Sequence, residues 1–355
     1  MDSATGQKGE NMNKIALITG ISGQDAAYLA EFLLEKSYRV IGTTRPSSAN
    51  NLGRLKELGI LDDVEVCVMD LMEESNIRQT LAQYQPDEIY NLAAQSSVGS
   101  SFELPYYTAL VDGVAPLTIL EAMRKSLPEA KFYQASTSEL YGKVVETPQT
   151  ESTPFYPRSP YAFAKLMAHW ATINYRESFG LHAKSGILFN HESPLRGKEF
   201  VTRKITLGLS EIAHGKRDCL YLGNLEAKRD WGYAKEFIEG MWRINTHHEA
   251  DEFVLATGRN ASVRSFVECC AQCVDIDIEW NGEGVNEKGI DRKTGKVVIG
   301  VNEKFYRPAE VDAVIGNPQK AQDILGWKAS TSVEQLTELM MAADMERVGS
   351  NRFCF

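Results

Sequence analysis

The sequence predicts an α/β fold in which helices cover both faces of a parallel sheet, followed by a smaller mixed α/β lobe. Short apolar runs recur through the first half of the chain, helical patterns separate them, and this rhythm stops after residue 190. Parallel strands have continuous apolar runs because both of their faces are buried. The predicted domains are therefore a doubly wound sheet domain at 14–190 and a lobe formed mainly by 191–355.

Each element of the first domain follows from its residue pattern. The predicted strands are KIALITG (14–20), YRVIGTT (38–44), VEVCVMD (64–70), EIYNLAA (88–94), KFYQAST (131–137) and AKSGILFN (183–190). Helical spacing of apolar residues predicts helices at 24–37, 73–84, 115–127 and about 160–179. In the second half, the predictions are helices at 317–327 and 332–348, a flexible Gly-rich loop within 280–304, and a segment at about 233–258 that returns to the first domain.

Composition and charge narrow the classes of function. The chain has 355 residues, of which 43% are hydrophobic and 24% are charged, so it can bury a sizeable core. The net charge is −10 and the isoelectric point is about 5.3. An acidic chain binds nucleic acid and anionic membranes poorly, so neither is expected as a partner. An anionic ligand would need a local cluster of basic side chains.

The N-terminal residues and the cysteines indicate a cytoplasmic protein. The first residues, MDSATGQKGENM, lack the apolar segment of a secretory signal, so 1–13 are predicted to be a disordered polar tail. No apolar run reaches the length of a membrane span. The six cysteines are scattered, and Cys270 and Cys273 are predicted to be buried helix thiols. His247 and His248 could bind a metal, but a solvated polar segment is the simpler interpretation, and no metal is expected.

A glycine loop follows the first predicted strand. KIALITG runs into GISGQDA (20–26), where a predicted helix begins. Glycines let the backbone approach the phosphates of a dinucleotide, and the helix N-terminus offers free N–H groups and a positive dipole end. At the first strand of a parallel sheet, this loop predicts a Rossmann-type dinucleotide site. In isolation, the same pattern also fits an ordinary strand–helix turn.

The end of the second strand indicates NADP rather than NAD. An NAD site carries an acidic residue there, whereas this chain has Arg45, Ser47 and Ser48. A guanidinium and two hydroxyls suit a 2′-phosphate, and no acid repels it. Residues 70–71 are expected near the adenine, and 92–96 beneath the cofactor. The alternative is that the arginine is an ordinary solvated loop residue.

The stretch SPYAFAK provides a tyrosine and a lysine at helical spacing. Ser159 is a good N-cap and Pro160 a good first helical residue, which places Tyr161 in the first turn. Lys165 follows four residues later on the same face. A tyrosine with a lysine at this distance, close to a nicotinamide, is expected to have a lowered phenol pKa, so that Tyr161 can take a proton from a sugar hydroxyl as hydride leaves the carbon. Without a dinucleotide loop, this spacing is more often that of a surface pair.

Together these motifs resemble the extended short-chain dehydrogenase/reductase family and, within it, the GDP-mannose 4,6-dehydratases. The segments that carry the closer resemblance include LITGISGQDAAYLAEFLLEK, NLAAQS, FYQASTSELYG, TPFYPRSPYAFAK, GILFNHESPLRG, KRDWG and FYRPAEVD, and they span essentially 14–346. The resemblance implies a lyase with tightly bound NADP, GDP-mannose as its small-molecule substrate, and a homodimer or homotetramer.

The resemblance also implies a role for individual residues. Those implied in catalysis are Thr137, Glu139, Tyr161 and Lys165. Those implied to bind NADP are Gly20, Ile21, Ser22, Gly23, Gln24, Asp25, Arg45, Ser47, Ser48, Asp70, Leu71, Leu92, Ala93, Ala94, Gln95, Ser96, Tyr107, Lys165, His191 and Arg196. Those implied to hold the GDP-sugar are Ser138, Asn190, Lys204, Arg229, Arg307 and Glu310. Pro46 departs from the family's usual RRSS, which removes one cationic side chain near the cofactor.

Glu139 is the carboxylate that a dehydratase needs in addition to the Tyr–Lys pair and the hydroxyl that binds O4. Oxidation of C4 of a nucleotide-linked hexose acidifies the C5 proton, which a base must remove before the C6 hydroxyl leaves as water. Thr137 is expected to bind O4, and Glu139, with Ser138, to take the C5 proton and protonate the departing hydroxyl. Hydride returns to C6, so the predicted reaction yields GDP-4-keto-6-deoxy-D-mannose and water from GDP-α-D-mannose. Such a product belongs to GDP-deoxysugar biosynthesis, for example that of GDP-fucose or GDP-rhamnose.

Several alternatives stay open at this stage. A 4-epimerase or 4-ketosugar reductase on the same scaffold would not need Glu139, which could then be a carboxylate stabilised by a helix dipole. A non-catalytic NADP-sensing regulator would not need Tyr161 and Lys165. A GDP-linked manno-heptose is a further candidate substrate.

Overall fold

A computed structural model describes residues 14–48, 51–305 and 314–352. The strands are β1 (Ile15–Thr19), β2 (Arg39–Thr44), β3 (Glu65–Val68), β4 (Glu88–Asn91), β5 (Lys131–Thr137), β6 (Ala183–Leu188), β7 (Asn190–Glu192), β8 (Leu220–Leu222), β9 (Lys228–Arg229), β10 (Trp231–Tyr233), β11 (Glu252–Leu255), β12 (Ala261–Ser262), β13 (Ile278–Asn281), β14 (Lys288–Asp291) and β15 (Val297–Val301). The α-helices are α1 (Gln24–Glu35), α2 (Gly53–Glu57), α3 (Glu74–Tyr84), α4 (Val98–Glu103), α5 (Pro105–Ala109), α6 (Ala115–Ser126), α7 (Pro160–Phe179), α8 (Val201–Ala213), α9 (Ala234–Thr246), α10 (Val263–Gln272), α11 (Gln319–Leu325) and α12 (Val333–Gly349). The tail predicted at 1–13 lies outside the described residues.

Within the described residues, seven strands form a parallel sheet in the order β11–β6–β5–β4–β1–β2–β3. Leu17 and Ile18 of β1 point to opposite faces of this sheet, and both are fully buried. The apolar runs are continuous for this reason, and the prediction of a doubly wound α/β fold is confirmed. Truncating Leu17 to Ala would leave a cavity and cost about 2–5 kcal/mol of stability.

Helices cover both faces of the central sheet. Helices α1 and α9 share one hydrophobic cluster with Ile18, whereas α3 and α6 share another with Leu17. Helix α7 packs beside α6 and against β5 and β6. The segment 234–255 lies in this layer, because α9 covers the sheet and β11 extends its edge by pairing with β6. The chain therefore returns to the central sheet after it has entered the second half of the sequence.

The second half forms a smaller sheet, β13–β14–β15–β8, which shares a hydrophobic cluster with α8, α10 and α12. The segment 280–304, in which a flexible loop was predicted, contains the strands β14 and β15 and the turns that flank them. Gly282 and Gly295 adopt positive φ angles of 87° and 69° at its turns, whereas Val298 and Ile299 face the core. The glycines that suggested flexibility are the residues that these turns require.

The other sequence predictions concern membranes, cysteines and metals. Across the described ranges, none of the helices combines the length and the apolar character that crossing a bilayer requires. Cys270 is buried, but Cys273 is exposed at the end of α10, so its prediction as a buried thiol is wrong. Within the same ranges, no cluster of three or more His, Cys, Asp or Glu side chains is arranged to hold a metal ion.

Candidate active site

The glycine loop makes a tight turn between β1 and α1. Gly20 has a φ of +73°, and its carbonyl accepts a 2.9 Å hydrogen bond from the Gly23 N–H. A Cβ on Gly20 would lie 2.8 Å from the Cα of Ala93, so another residue would push the loop away from the segment after β4. No side chain caps the N-terminus of α1. Its free N–H groups are therefore available to an anionic ligand.

A cavity of about 420 Å³ lies at the carboxyl ends of β1, β2, β3 and β4. Doubly wound sheets bind ligands at this edge, and ligand cavities usually measure roughly 300–1,000 Å³. Most residues that were predicted to bind NADP line it, namely Gly20, Ser22, Gly23, Gln24, Asp25, Arg45, Ser48, Asp70, Leu71, Leu92, Ala93, Ala94, Gln95, Ser96, Tyr107 and Arg196. The strand order thus gathers segments that are far apart in sequence.

Four residues predicted to bind NADP do not line this cavity, namely Ile21, Ser47, Lys165 and His191. The side chain of Ile21 is fully buried against β2, where a Cβ on Gly42 would lie 2.4 Å from it. Ser47 lies in the exposed 3₁₀ turn Pro46–Ser48.

The end of β2 carries a guanidinium with two hydroxyl partners. Arg45 Nη1 donates to the Tyr107 hydroxyl at 2.7 Å, and its Nε donates to Ser48 Oγ at 2.9 Å. All three residues line the cavity, and the carboxylate typical of NAD sites is replaced here by Arg45. This arrangement suits the 2′-phosphate of NADP.

Arg54 of α2 also lines the cavity, although sequence reasoning did not predict it. Its Nη1 donates to the Ser22 carbonyl and its Nε to the Leu195 carbonyl, both at 2.7 Å. The side chain therefore joins the glycine loop to the segment after β7. No local motif marked it. The other lining residues that were not predicted are Ala26, Thr43, Thr44, Met69, Met72, Ser97, Val111, Gly197, Glu199 and Phe200.

His191 does not line the cavity but contacts Asp25, which follows the glycine loop. Its Nε2 lies 2.8 Å from Asp25 Oδ2, and its Nδ1 lies 2.7 Å from the Phe189 carbonyl oxygen. Burial acts to lower the pKa of His191, but the Asp25 carboxylate outweighs it and raises this pKa. Burial acts to raise the pKa of Asp25, but His191 lowers it to about 2. The geometry is that of an ion pair under the loop.

The predicted catalytic side chains meet where β5 ends and α7 begins. A 3₁₀ turn, Ser138–Leu140, follows β5 directly, and the Thr137 hydroxyl accepts a 3.3 Å hydrogen bond from the Glu139 N–H. Ser159 caps α7 through a 3.1 Å bond from the Ala162 N–H, as expected. Tyr161 and Thr137 are both buried, at 8% exposure.

The protein's own groups raise the pKa of Tyr161, so the lysine one turn away does not by itself lower it. Burial is the main cause that raises this pKa, and the carboxylates of Asp112 and Glu139 raise it further. The adjacent Thr137 hydroxyl acts in the opposite direction. The Lys165 ammonium donates a 2.8 Å hydrogen bond to the Ala135 carbonyl. A positive charge close to the phenol would lower the pKa again.

A second, small cleft adjoins the end of β5. It is lined by Ser138, Glu139, Phe189, Asn190, Arg229, Asp230 and Val314, of which Phe189, Asp230 and Val314 were not predicted. Asp230 accepts bonds from the Thr257 N–H and hydroxyl and from the Gly258 N–H, at 2.7–2.9 Å. It thereby fixes the strand connection next to Arg229.

Lys204, which was predicted to hold the GDP-sugar, does not line this cleft. The Lys204 ammonium lies 3.2 Å from the ring centroid of Phe305. Burial, together with Arg217, lowers the pKa of Lys204 to about 8. Arg307 and Glu310 lie outside the described residues.

The fold, the dinucleotide cavity and the Thr–Tyr–Lys group where β5 ends and α7 begins define the class of the chain, an extended short-chain dehydrogenase/reductase. The solved structure of RMD from Pseudomonas aeruginosa complexed with NADPH superposes with a TM-score of 0.74. It covers 94% of this chain and 100% of that one at 20% sequence identity, which establishes a common fold.

The family within this class follows from sequence. The family model for GDP-mannose 4,6 dehydratase matches residues 17–340. A GDP-mannose 4,6-dehydratase of Sinorhizobium fredii is 50% identical over 96% of this chain and 99% of its own length. The Homo sapiens GDP-mannose 4,6 dehydratase is 48% identical over 98% and 96%. The chain belongs to the GDP-mannose 4,6-dehydratase family.

Proposed function

We propose that this chain is a hydro-lyase that converts GDP-α-D-mannose into GDP-4-keto-6-deoxy-D-mannose and water. The observation that carries the proposal is the position of Glu139. Glu139 lies two residues after Thr137, the last residue of β5, and shares a cleft with Asn190 and Arg229. Sequence identities of 48–50% with GDP-mannose 4,6-dehydratases, over nearly the whole chain, support the same substrate.

The residues of the larger cavity fit NADP. Gly20 lets the loop pack closely against Ala93 beside the cavity, the start of α1 offers free N–H groups, and Arg45 lines the cavity at the end of β2, where its guanidinium suits a 2′-phosphate. When bound, NADP would accept hydride from C4 and return it to C6, so the reaction consumes no external reductant.

Tyr161 would accept the proton of the C4 hydroxyl, with the Thr137 hydroxyl bonded to O4. A phenol with a raised pKa releases its proton reluctantly, so the site needs positive charge close to Tyr161. The chain supplies part of it, because Arg196 acts to lower the pKa of Tyr161. Burial lowers the pKa of Lys165, whereas Asp112 and Asp25 act to keep its ammonium charged.

Glu139 would remove the proton from C5 and deliver a proton to the departing C6 hydroxyl. Its N–H is anchored to Thr137, so the positions of base and O4 ligand are coupled. Ser138, also in the small cleft, would assist the proton transfer. One proton leaves carbon and one joins the hydroxyl, so the elimination balances as loss of water.

The GDP-sugar would be held beyond the small cleft. Arg229 is 8% exposed and lies on β9. Because β9 pairs with β12, the backbone that carries this guanidinium is held in place. Asn190 and Lys204 would add polar contacts, and Arg307 and Glu310 are proposed for the same role from the family resemblance. A guanidinium in an acidic chain is well suited to a diphosphate.

Mass spectrometry of the product from GDP-mannose tests the function. We expect loss of one water with no net change in NADPH. An epimerase would leave the mass unchanged, and a reductase would consume NADPH. Cofactor binding without any conversion would indicate an NADP-sensing protein. The same assay with a GDP-linked manno-heptose would test the second candidate substrate.

We further propose a homo-oligomer, either a dimer or a tetramer. Phe163, Met167 and Trp170 project from one side of α7 and are 42–54% exposed. A second copy of the chain would cover this apolar stripe. Light scattering of the wild type and of Trp170→Glu tests the assignment, since the glutamate should favour the monomer. If both proteins have the same mass, α7 is not the interface.

We also propose a cytoplasmic location within GDP-deoxysugar biosynthesis. The cysteines within the described residues are free, as expected in a reducing compartment. A 4-ketone at the product carbon would be a substrate for a downstream reductase or epimerase. Cell fractionation tests the location.

A further inference from the structure

Asp112 is a buried carboxyl for which the proposed reaction has no assigned use. It lies in the π-helical turn Leu110–Val114, between α5 and α6. Its side chain is fully buried. Single π-helical turns inside helical segments are rare, and those that occur are often found at functional sites.

The π-helical turn is pressed against the helix that carries the catalytic pair. A Cβ on Gly113 would lie 3.2 Å from the Ala164 carbonyl and 3.2 Å from Met167 Sδ, both on α7. This close approach requires the glycine. It brings Asp112 to the α7 turns that hold Tyr161 and Lys165.

The two oxygens of Asp112 have different surroundings. Oδ1 accepts a 2.7 Å hydrogen bond from the backbone N–H of Gln95, in the loop beneath the cofactor cavity. Oδ2 is buried and accepts no hydrogen bond from the described part of the chain. A purely structural carboxylate would normally satisfy both oxygens, because burying an unpaired one is costly.

The titratable groups that interact with Asp112 are those of the catalytic pair. Burial raises the pKa of Asp112 to about 7, while Lys165 and the Gln95 N–H lower it. In turn, Asp112 acts to raise the pKa of Tyr161 and to keep Lys165 charged. From α5, Tyr107 points away to Arg45, and from the loop after β4 the contact is the neutral amide of Gln95.

We propose that Asp112 is a positioning residue of the active site, whose ionisation sets the charge of the Tyr161–Lys165 pair and so the pH range of sugar oxidation. The proposal rests on the proposed function. Ionised Asp112 retains the Lys165 ammonium at the Ala135 carbonyl and opposes ionisation of Tyr161. Protonated Asp112 withdraws both effects. The catalytic pair would therefore respond to pH through a group that does not touch the substrate.

A substrate-free measurement tests the coupling directly. The Cγ carbon of Asp112 is followed by carbon-13 NMR in the NADP-loaded protein, with Asp112→Asn used to assign its signal. We expect titration in the neutral range, and Lys165→Met should raise the midpoint by about one pH unit, because an attractive charge is lost. Lys184→Met is the matched control, since Lys184 is equally buried but bonds to the Asn245 and His247 carbonyls.

A kinetic measurement then tests the consequence. Asn preserves the acceptor for the Gln95 N–H but carries no charge. We expect the acidic limb of kcat/KM for GDP-mannose to move down by about one pH unit in Asp112→Asn, because Tyr161 ionises more readily. An unchanged limb with only a lower Tm, or an Asp112 signal indifferent to Lys165→Met, would overturn the proposal. If Asp112→Asn does not fold, the NMR comparison still decides, with the Cγ signal assigned through its connectivity to the backbone resonances of Asp112. Water loss from GDP-mannose by the wild type, measured in parallel, tests the function separately.

Discussion

His191 Nε2 and Asp25 Oδ2 lie 2.8 Å apart, which joins β7 to the first turn of α1 beneath the dinucleotide cavity. The pair is most stable when both groups are charged. The pKa of His191 is raised, so its contribution is complete below its ordinary pKa of 6.5 and fades as the pH rises through the raised value. The pKa of Asp25 is lowered, so its contribution is present above its ordinary 3.8 and is lost as the pH falls through about 2.

Removing this carboxylate should reverse the shift at His191. In Asp25→Asn, burial remains but the attraction is lost, so the pKa of His191 should fall below 6.5, by about one unit or more relative to the wild type. Proton NMR of the imidazole resonances measures it. Asp70→Asn, at the opposite side of the same cavity, should leave the His191 titration unchanged. An unchanged His191 in Asp25→Asn would show that another group holds its proton.

Arg45→Ala should weaken NADP far more than NAD. The guanidinium is placed for a phosphate that only NADP carries, and a charge-assisted bond of this kind contributes about 1.5–3 kcal/mol, or about tenfold or more in Kd. Calorimetry with both cofactors measures the ratio. Arg39→Ala is the control, because Arg39 begins the same strand but pairs with Glu65 at the surface. Equal losses for NADP and NAD would mean that Arg45 does not read the 2′-phosphate.

Arg54→Ala should release NADP faster and lower Tm. The substitution removes the donor from two backbone carbonyls, and each unsatisfied buried acceptor costs about 1–3 kcal/mol. The connection between the glycine loop and the segment at 195 would loosen as well. Nucleotide content after gel filtration and the dissociation rate of NADP provide the measurement. Lys56→Ala, an exposed neighbour on α2, should retain its cofactor.

Glu139→Gln should stop the reaction after oxidation at C4. Tyr161 and Lys165 remain, so absorbance of reduced cofactor should accumulate, while dehydration falls at least about 10²-fold, the low end for a general acid–base group. In deuterium oxide, the wild type should place deuterium at C5 and the variant should not. Glu279→Gln, at an exposed glutamate, should behave as the wild type. Near-normal dehydration by Glu139→Gln would show that Glu139 is not the base and is only a carboxylate stabilised at the start of a helix.

Much of the fold and of the candidate site could be predicted from local patterns. Apolar runs, capping residues and glycines act over a few neighbouring residues, so they specify the strands, α7 with its Ser159 cap, and the turn at Gly20. Parallel strands place their carboxyl ends at one edge of the sheet. The parallel direction of the strands therefore suffices to predict that Arg45 and Glu139, which follow two of them, lie at the ligand edge.

The remaining features depend on contacts between distant segments. Arg54 bonds to a carbonyl 141 residues away, and His191 to a carboxylate 166 residues away, which no local pattern encodes. The raised pKa of Tyr161 is likewise not encoded locally, because the burial of this residue and its interaction with Asp112 arise only when the π-helical turn packs on α7. The sequence by itself therefore determined which chemical groups reach the ligand edge of the sheet. Tertiary packing decided their partners and their charges, since desolvation and electrostatic coupling are properties of the assembled core.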